Sequence, residues 1–152
     1  IGSTLERAKK FLNAHKVKID LHRPLPLLRI DPVLFEQVLF NLLDNASKYA
    51  QPGSTILVRA KHEGNVVHLQ IIDEGSGIPP ADLDRIFDKF YRIQSADRQR
   101  AGTGLGLAIC RGFVEAMGGS IVAANRADRS GAIFTITMPV AVSDAICQDV
   151  IA

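Results

Sequence analysis

Gly102-Thr103-Gly104-Leu105-Gly106-Leu107 runs straight into apolar residues at helical spacing, Leu105, Ile109, Phe113 and Met117. Three glycines at alternate positions leave backbone N–H groups uncovered, and the N-terminus of the following helix adds partial positive charge. The combination suits an anion such as a chain of phosphates. Glycine-rich turns before helices are common. The stretch gains its meaning from a second glycine cluster upstream, Asp73-Glu74-Gly75-Ser76-Gly77, and from a helix before that which carries amides and a lysine.

That helix starts at Asp31-Pro32, with Asp as N-cap and Pro at the first helical position, where its missing N–H costs nothing. It runs to about Ala50 and is ended by Gln51-Pro52-Gly53. Leu34, Val38, Leu42 and Leu39, Leu43, Ala46 make a wide apolar face. Asn41, Asn45 and Lys48 share another side, one turn apart. A solvated face would explain one asparagine, but two inside a helix are poor for stability, because Asn favours caps. A functional role explains them better. An Asn oxygen is a hard, neutral ligand suited to a Mg²⁺ that already carries phosphate oxygens, and Lys48 can meet the phosphate charge. Asp73, at the end of the apolar strand pattern Leu69, Ile71, Ile72, reads either as a turn cap or as the acceptor for an exocyclic amine. In the second reading Gly75 and Gly77 let a planar base approach the backbone. Phe87 and Phe90 read more simply as core or hinge aromatics.

The remaining pattern gives a helix over 3–15 behind the capping box Ser3-x-x-Glu6. Strands are expected at 17–21, 25–30, 55–62, 66–73, 120–125 and 132–138. A short helix follows Pro79-Pro80, and another spans 104–118 to Gly118-Gly119. Residues 91–104 are polar and aperiodic, a loop length that inside a compact domain is usually functional. Helices and strands mix without strict alternation, so the fold class is α+β, a two-layer sandwich. With 152 residues the chain suits one domain. A net charge of +2, with scattered basic residues, argues against nucleic acid or a lipid surface as partner. Cys110 and Cys147 have no metal or redox spacing, and Cys110 is expected as a buried thiol. No apolar run is long enough to span a membrane. The start Ile-Gly-Ser, without an initiator Met, suggests an excised piece of a larger protein that could carry a membrane anchor.

With these pieces together, the sequence resembles the catalytic ATP-binding domain of sensor histidine kinases, in the superfamily shared with gyrase. Asn41-Leu-Leu-Asp-Asn45-Ala-Ser-Lys48-Tyr49 resembles the family's N box. Asp73-Glu-Gly75-Ser-Gly77-Ile78 resembles its G1 box, Phe87-Asp-Lys-Phe90-Tyr-Arg92 its F box, and Gly102-Thr-Gly104-Leu-Gly106-Leu its G2 box. The ordered set covers about residues 25–139 and is specific where each box alone is not. Residues 1–24 would adjoin a phosphoacceptor domain, and 140–152 would be a peripheral tail. Within the family, residues 30–50 and 86–92 look most like potassium-responsive Kdp-type sensors.

The resemblance implies a Bergerat-type fold, a mixed, mostly antiparallel sheet covered on one face by three helices, with ATP between the helices and a lid at 91–104. Asn45 would ligate Mg²⁺, Asn41 would support the phosphate site, and Lys48 would contact phosphate. Tyr49 and Ile78 would lie by the adenine and Asp73 would bond its amine, with Gly75, Gly77 and Phe87 nearby. Gly102, Thr103, Gly104, Leu105, Gly106 and Leu107 would form the lid hinge and phosphate cradle. Arg92, Arg98 and Arg100 are candidates to reach the γ-phosphate.

The family's phosphoacceptor box, His-Glu/Asp-Leu-Arg/Lys-Thr-Pro-Leu, is absent, and His15, His22, His62 and His68 lack its context. The acceptor histidine is therefore expected on a separate dimerisation domain, and a response regulator as the next partner. The resemblance places the domain in the cytoplasm, as part of an inner-membrane sensor. In the superfamily's ATPases a Glu one turn before the metal Asn activates water. Asn41 stands there and is no useful base, which favours transfer over hydrolysis. The rivals are an anti-sigma-type serine kinase and a non-catalytic nucleotide-sensing module.

Overall fold

The computed structural model describes Glu6 and residues 15–22, 25–26, 28–89 and 106–140. Its elements are β1 (Lys16–Leu21), α1 (Pro32–Tyr49), β2 (Thr55–Glu63), β3 (Val66–Ile72), a single 3₁₀ turn (Pro80–Asp82), α2 (Gly106–Ala116), β4 (Ser120–Asn125) and β5 (Ala132–Pro139). The five strands form one sheet in the order β1-β2-β3-β5-β4. β1 pairs with β2 in parallel, across the α1 crossover, and every other pair is antiparallel. This is the mixed, mostly antiparallel sheet of the expected α+β sandwich. Two α-helices cover it among the described residues, where the resemblance implies three; the helix expected at 3–15 lies outside them, apart from Glu6 and His15.

Alternation along the strands decides which face is covered. Ile56, Val58 and Ala60 of β2, Leu69 and Ile71 of β3, and Phe134, Ile136 and Met138 of β5 are buried. Val38, Leu39, Leu42, Leu43 and Ala46 of α1 meet them, together with Cys110 and Val114 of α2. Asp31 caps α1 as its sequence suggests, its carboxylate accepting from Val33 N (2.9 Å) and Leu34 N (3.3 Å).

Three expectations are corrected. Residues 25, 26 and 28–30 form no strand. Pro26 has no N–H to give a ladder, and Leu25, Leu28 and Ile30 instead pack irregularly against the core. The helix expected after Pro79 is reduced to the 3₁₀ turn and a few further turn bonds. On α2, Phe113 and Met117 of the expected stripe pack against the core, but Ile109 does not. Cys110 and Val114 are fully buried, whereas Ile109 is 39 % exposed. The helix carries apolar residues almost all round, so its periodicity admitted both stripes.

α2 ends in a Schellman motif: Gly119 N donates to Val114 O and Gly118 N to Glu115 O, both at 3.0 Å, with Gly118 at φ +83°. Gly119 lies so close to β5 that a Cβ there would meet the Thr137 carbonyl oxygen at 2.6 Å. Gly118→Ala is expected to lower stability by about 1–2 kcal/mol, because it forces an L side chain into the left-handed region. Val33→Ala, at a position 75 % exposed, should change stability by less than about 0.5 kcal/mol. Urea melts of both variants check this, and equal effects would contradict the role of Gly118.

Candidate functional site

Asp73 follows the last residue of β3 and is 3 % exposed, the one fully buried acid among the described residues. Its Oδ1 accepts from Gly75 N (2.9 Å) and Ala132 N (3.1 Å), while its own backbone N–H donates to Ala132 O (3.0 Å). Among the described residues Oδ2 accepts no hydrogen bond. Burial pushes the carboxyl above its ordinary range, against the smaller opposing pull of the Gly75 and Ala132 amides and the Arg126 charge. The turn-cap reading is thus correct for Oδ1 and leaves Oδ2 available.

Gly75 is committed to the protein itself. It bridges Ala50 at the C-terminal end of α1, and a Cβ there would run into the Tyr49 carbonyl oxygen. Gly77 adopts φ +79°, and a Cβ on it would lie 2.8 Å from Asn125 Oδ1. The amide helix is therefore tied at its C-terminus to the loop that holds Asp73. Tyr49 is half-buried beside this junction.

Asn41, Asn45 and Lys48 are all half-buried on α1. Gln37 Nε2 donates to Asn41 Oδ1 at 3.0 Å. Lys48 Nζ lies 3.1 Å from Asp44 Oδ2, a half-exposed pair one turn apart. Among the described residues no three His, Cys, Asp or Glu side chains converge to hold a metal. A divalent cation held here would take amide oxygen from the protein and its anionic ligands from phosphate, which fits Asn45.

Ile78 and Phe87 belong to the core. The Phe87 ring stands edge-on to Phe134 with centroids 6.2 Å apart, and the Arg111 guanidinium lies 5.8 Å from its centroid. Gly106 opens α2, and Leu107 packs against the core. Arg92, Gly102, Thr103, Gly104 and Leu105 lie outside the described residues, as do Phe90, Arg98, Arg100, Cys147, the expected lid and, except for Val140, the expected tail. Cys110 is buried and free, its thiol pushed up to about 12 by burial. His15, His22, His62 and His68 each meet a protein oxygen: Ser47 O, Asp20 Oδ2, Gly64 O and Thr137 Oγ1.

Sequence reasoning places a turn at Ala127 to Gly131, between β4 and β5, but gives it no role at the site. Asn125 Oδ1 accepts from Ile78 N and its Nδ2 donates to Ile78 O, both at 2.7 Å. Arg126 Nη1 donates to Asp73 O (3.2 Å) and Ser130 Oγ to Gly75 O (2.6 Å). A Cβ on Gly131 would run into the Asp73 carbonyl oxygen. These residues lie about fifty positions from the loop they hold, and no local pattern marks them.

A family model described as histidine kinase-, DNA gyrase B- and HSP90-like ATPase matches residues 30–142. The chain belongs to that family. Sensor protein KdpD of Clostridium acetobutylicum is 41 % identical over 140 residues, 91 % of this chain and 15 % of that protein. KdpD of Escherichia coli K12 is 42 % identical over 139 residues, again 15 % of its length, so the chain spans about a seventh of these relatives. A solved mycobacterial sensor histidine kinase, MprB, superposes with a TM-score of 0.83 at 30 % identity, covering 91 % of each chain. ShkA, solved in complex with AMPPNP, superposes with a TM-score of 0.74 at 27 % identity over 90 % of this chain and 29 % of that one. The chain is the ATP-binding catalytic domain found in sensor histidine kinases, as its ordered boxes and fold indicate.

The raised carboxyl carries a signed stability consequence. The folded state holds the Asp73 proton more tightly than the unfolded chain, so stability falls as pH climbs from the unfolded value, about 3.9, through the raised one. Asp73→Asn keeps an oxygen for the Gly75 and Ala132 donors and removes the buried charge. Its melting temperature should equal or exceed wild type near neutral pH, with the advantage vanishing below the ordinary carboxylate range. Melts across that range check it; a variant less stable near neutrality would contradict it.

Proposed function

We propose that Asp73 Oδ2 accepts the exocyclic amine of adenine and that α1 meets the phosphates of the same Mg-ATP. The observation that carries this is the divided carboxylate: one oxygen fixed by two backbone donors, the other without a partner among the described residues, in a group 3 % exposed. A buried anionic acceptor favours an N–H donor over a keto oxygen. Asn45 offers its amide oxygen to Mg²⁺, and Asn41 and Lys48 stand beside the phosphates. Tyr49, Gly75, Gly77, Ile78 and Phe87 shape the base site, and residues 102–107 with Arg92 the phosphate end. Bound Mg²⁺ would neutralise charge developing on the phosphate oxygens.

The reaction is transfer of the γ-phosphoryl to an imidazole nitrogen of a histidine on a separate dimerisation domain. The bond from phosphorus to the β–γ bridging oxygen breaks, an N–P bond forms, and the imidazole gives up its N–H proton to solvent. ADP leaves, and the phosphoryl passes on to a response regulator. The core residues 25–139 supply placement and charge neutralisation, which carry most of the barrier lowering in such transfers. Residues 1–24 lead from the phosphoacceptor domain. The domain works on the cytoplasmic side of an inner-membrane sensor, and the KdpD relatives support a Kdp-type sensor as its parent.

Incubated with γ-labelled Mg-ATP, this chain should bind nucleotide by calorimetry and stay unlabelled. Stable label on His15, His22, His62 or His68, or no nucleotide binding, would overturn the reading. Asn45→Ala should remove most of the Mg²⁺-dependent gain in ATP affinity and leave Mg²⁺-free binding nearly unchanged. Titrations with and without the metal check this, and an unchanged metal dependence would remove Asn45 from the metal site.

A further inference from the structure

We propose that Asn125 is a positioning residue for base selection: its side chain locks the Ile78 peptide and thereby fixes the Asp73 loop against the base. The inference rests on the reading of Asp73 as the acceptor of the adenine amine.

Asn125 closes β4, and its amide spans the Ile78 peptide group on both sides, Oδ1 accepting from Ile78 N and Nδ2 donating to Ile78 O, both at 2.7 Å. An amide side chain is the only short uncharged group that donates and accepts in one plane. Ser would satisfy one of these atoms and Asp would set a carboxylate against the Ile78 carbonyl. The seat is built to fit, because Asn125 Oδ1 occupies the space where Gly77 would carry a Cβ, 2.8 Å away. Any side chain at Gly77 would displace the clamp.

The clamp lies at one end of loop 73–78. At the other end Asp73 is held by Ala132 N, Gly75 N and Arg126, and in the middle Ser130 Oγ holds Gly75 O at 2.6 Å. The Ile78 N–H and carbonyl, the Gly75 N–H and carbonyl, and the Asp73 carbonyl are all engaged within the protein. Of the polar groups named, Asp73 Oδ2 is the one with no protein partner among the described residues. Base selection then depends on where this single oxygen sits, and the loop's position is set by the β4–β5 turn. Losing the two Asn125–Ile78 hydrogen bonds removes no contact to the ligand itself, whereas displacing Oδ2 weakens most the ligands that offer it an exocyclic amine.

The test compares Mg-ATP with Mg-inosine triphosphate, which carries an oxo group in place of the amine, using tripolyphosphate as a competitor that has no base. In the wild-type chain ATP should bind more tightly than inosine triphosphate. Asn125→Ala should shrink that ratio by roughly five- to tenfold, with competition by tripolyphosphate unchanged. Val122→Ala, on the same strand but 57 % exposed, should leave the ratio as in wild type. If Asn125→Ala fails to fold, Asn125→Ser is read by the same ratio. A folded variant whose ratio matches wild type overturns the positioning role and leaves the Asp73 reading standing. A wild-type chain that does not discriminate between the two nucleotides overturns the Asp73 reading, and this proposal with it.

Discussion

Taking the Asp73 carboxylate out of water raises its free energy, and the surroundings offset that rise only in part. Two backbone amides and the Arg126 charge favour the ionised form, yet burial outweighs them and the group stays above its ordinary range. A domain gains nothing in stability from such an arrangement. In the proposed reading, an acceptor with one oxygen fixed and the other unpaired has its value in an incoming donor, for which a largely buried, fixed anion is a strong and selective partner.

The elements around it are organised by the need to hold that carboxylate still. The Asp73 backbone pairs with Ala132 at the start of β5, and the Ala50–Gly75 bridge fastens the end of α1 to the same loop. The amides of α1 and the carboxylate after β3 are therefore set relative to one another by backbone hydrogen bonds, which tolerate less play than side-chain contacts. The apolar face of α1 on the sheet keeps this spacing, with Leu39, Leu42 and Leu43 almost fully buried. The proposed base end and phosphate end then lie on one frame.

Much of this was legible in the sequence because the signals are local. Asp31-Pro32 announces α1, alternation announces β2, β3 and β5, and the periodic Asn41, Asn45 and Lys48 announce a polar stripe. What failed was ambiguous or non-local. Leu25, Leu28 and Ile30 looked like a strand because they are apolar, although Pro26 denies them a ladder. α2 is apolar on nearly every side, so its periodicity does not show that Ile109 faces outward while Cys110 and Val114 are buried. Gly75 and Gly77 carry a further constraint that no local pattern marks, since Tyr49 and Asn125 stand where a side chain on either would lie. Asn125, Arg126 and Ser130 carried no signal at all, because their partners lie across the sheet and a turn sequence rich in polar residues looks the same with or without them.

The central claim is that the unpaired oxygen of Asp73 binds the nucleotide's base. Calorimetric titration of Mg-ATP into the wild-type chain and Asp73→Asn tests it most directly. The asparagine keeps its oxygen on the Gly75 and Ala132 donors and presents an NH₂ where the acceptor stood, so donor faces donor. The account predicts an affinity loss of roughly 1.5–3 kcal/mol in a variant that melts no lower than wild type. Equal affinity in two equally folded chains would contradict it and leave Asp73 as a turn residue alone.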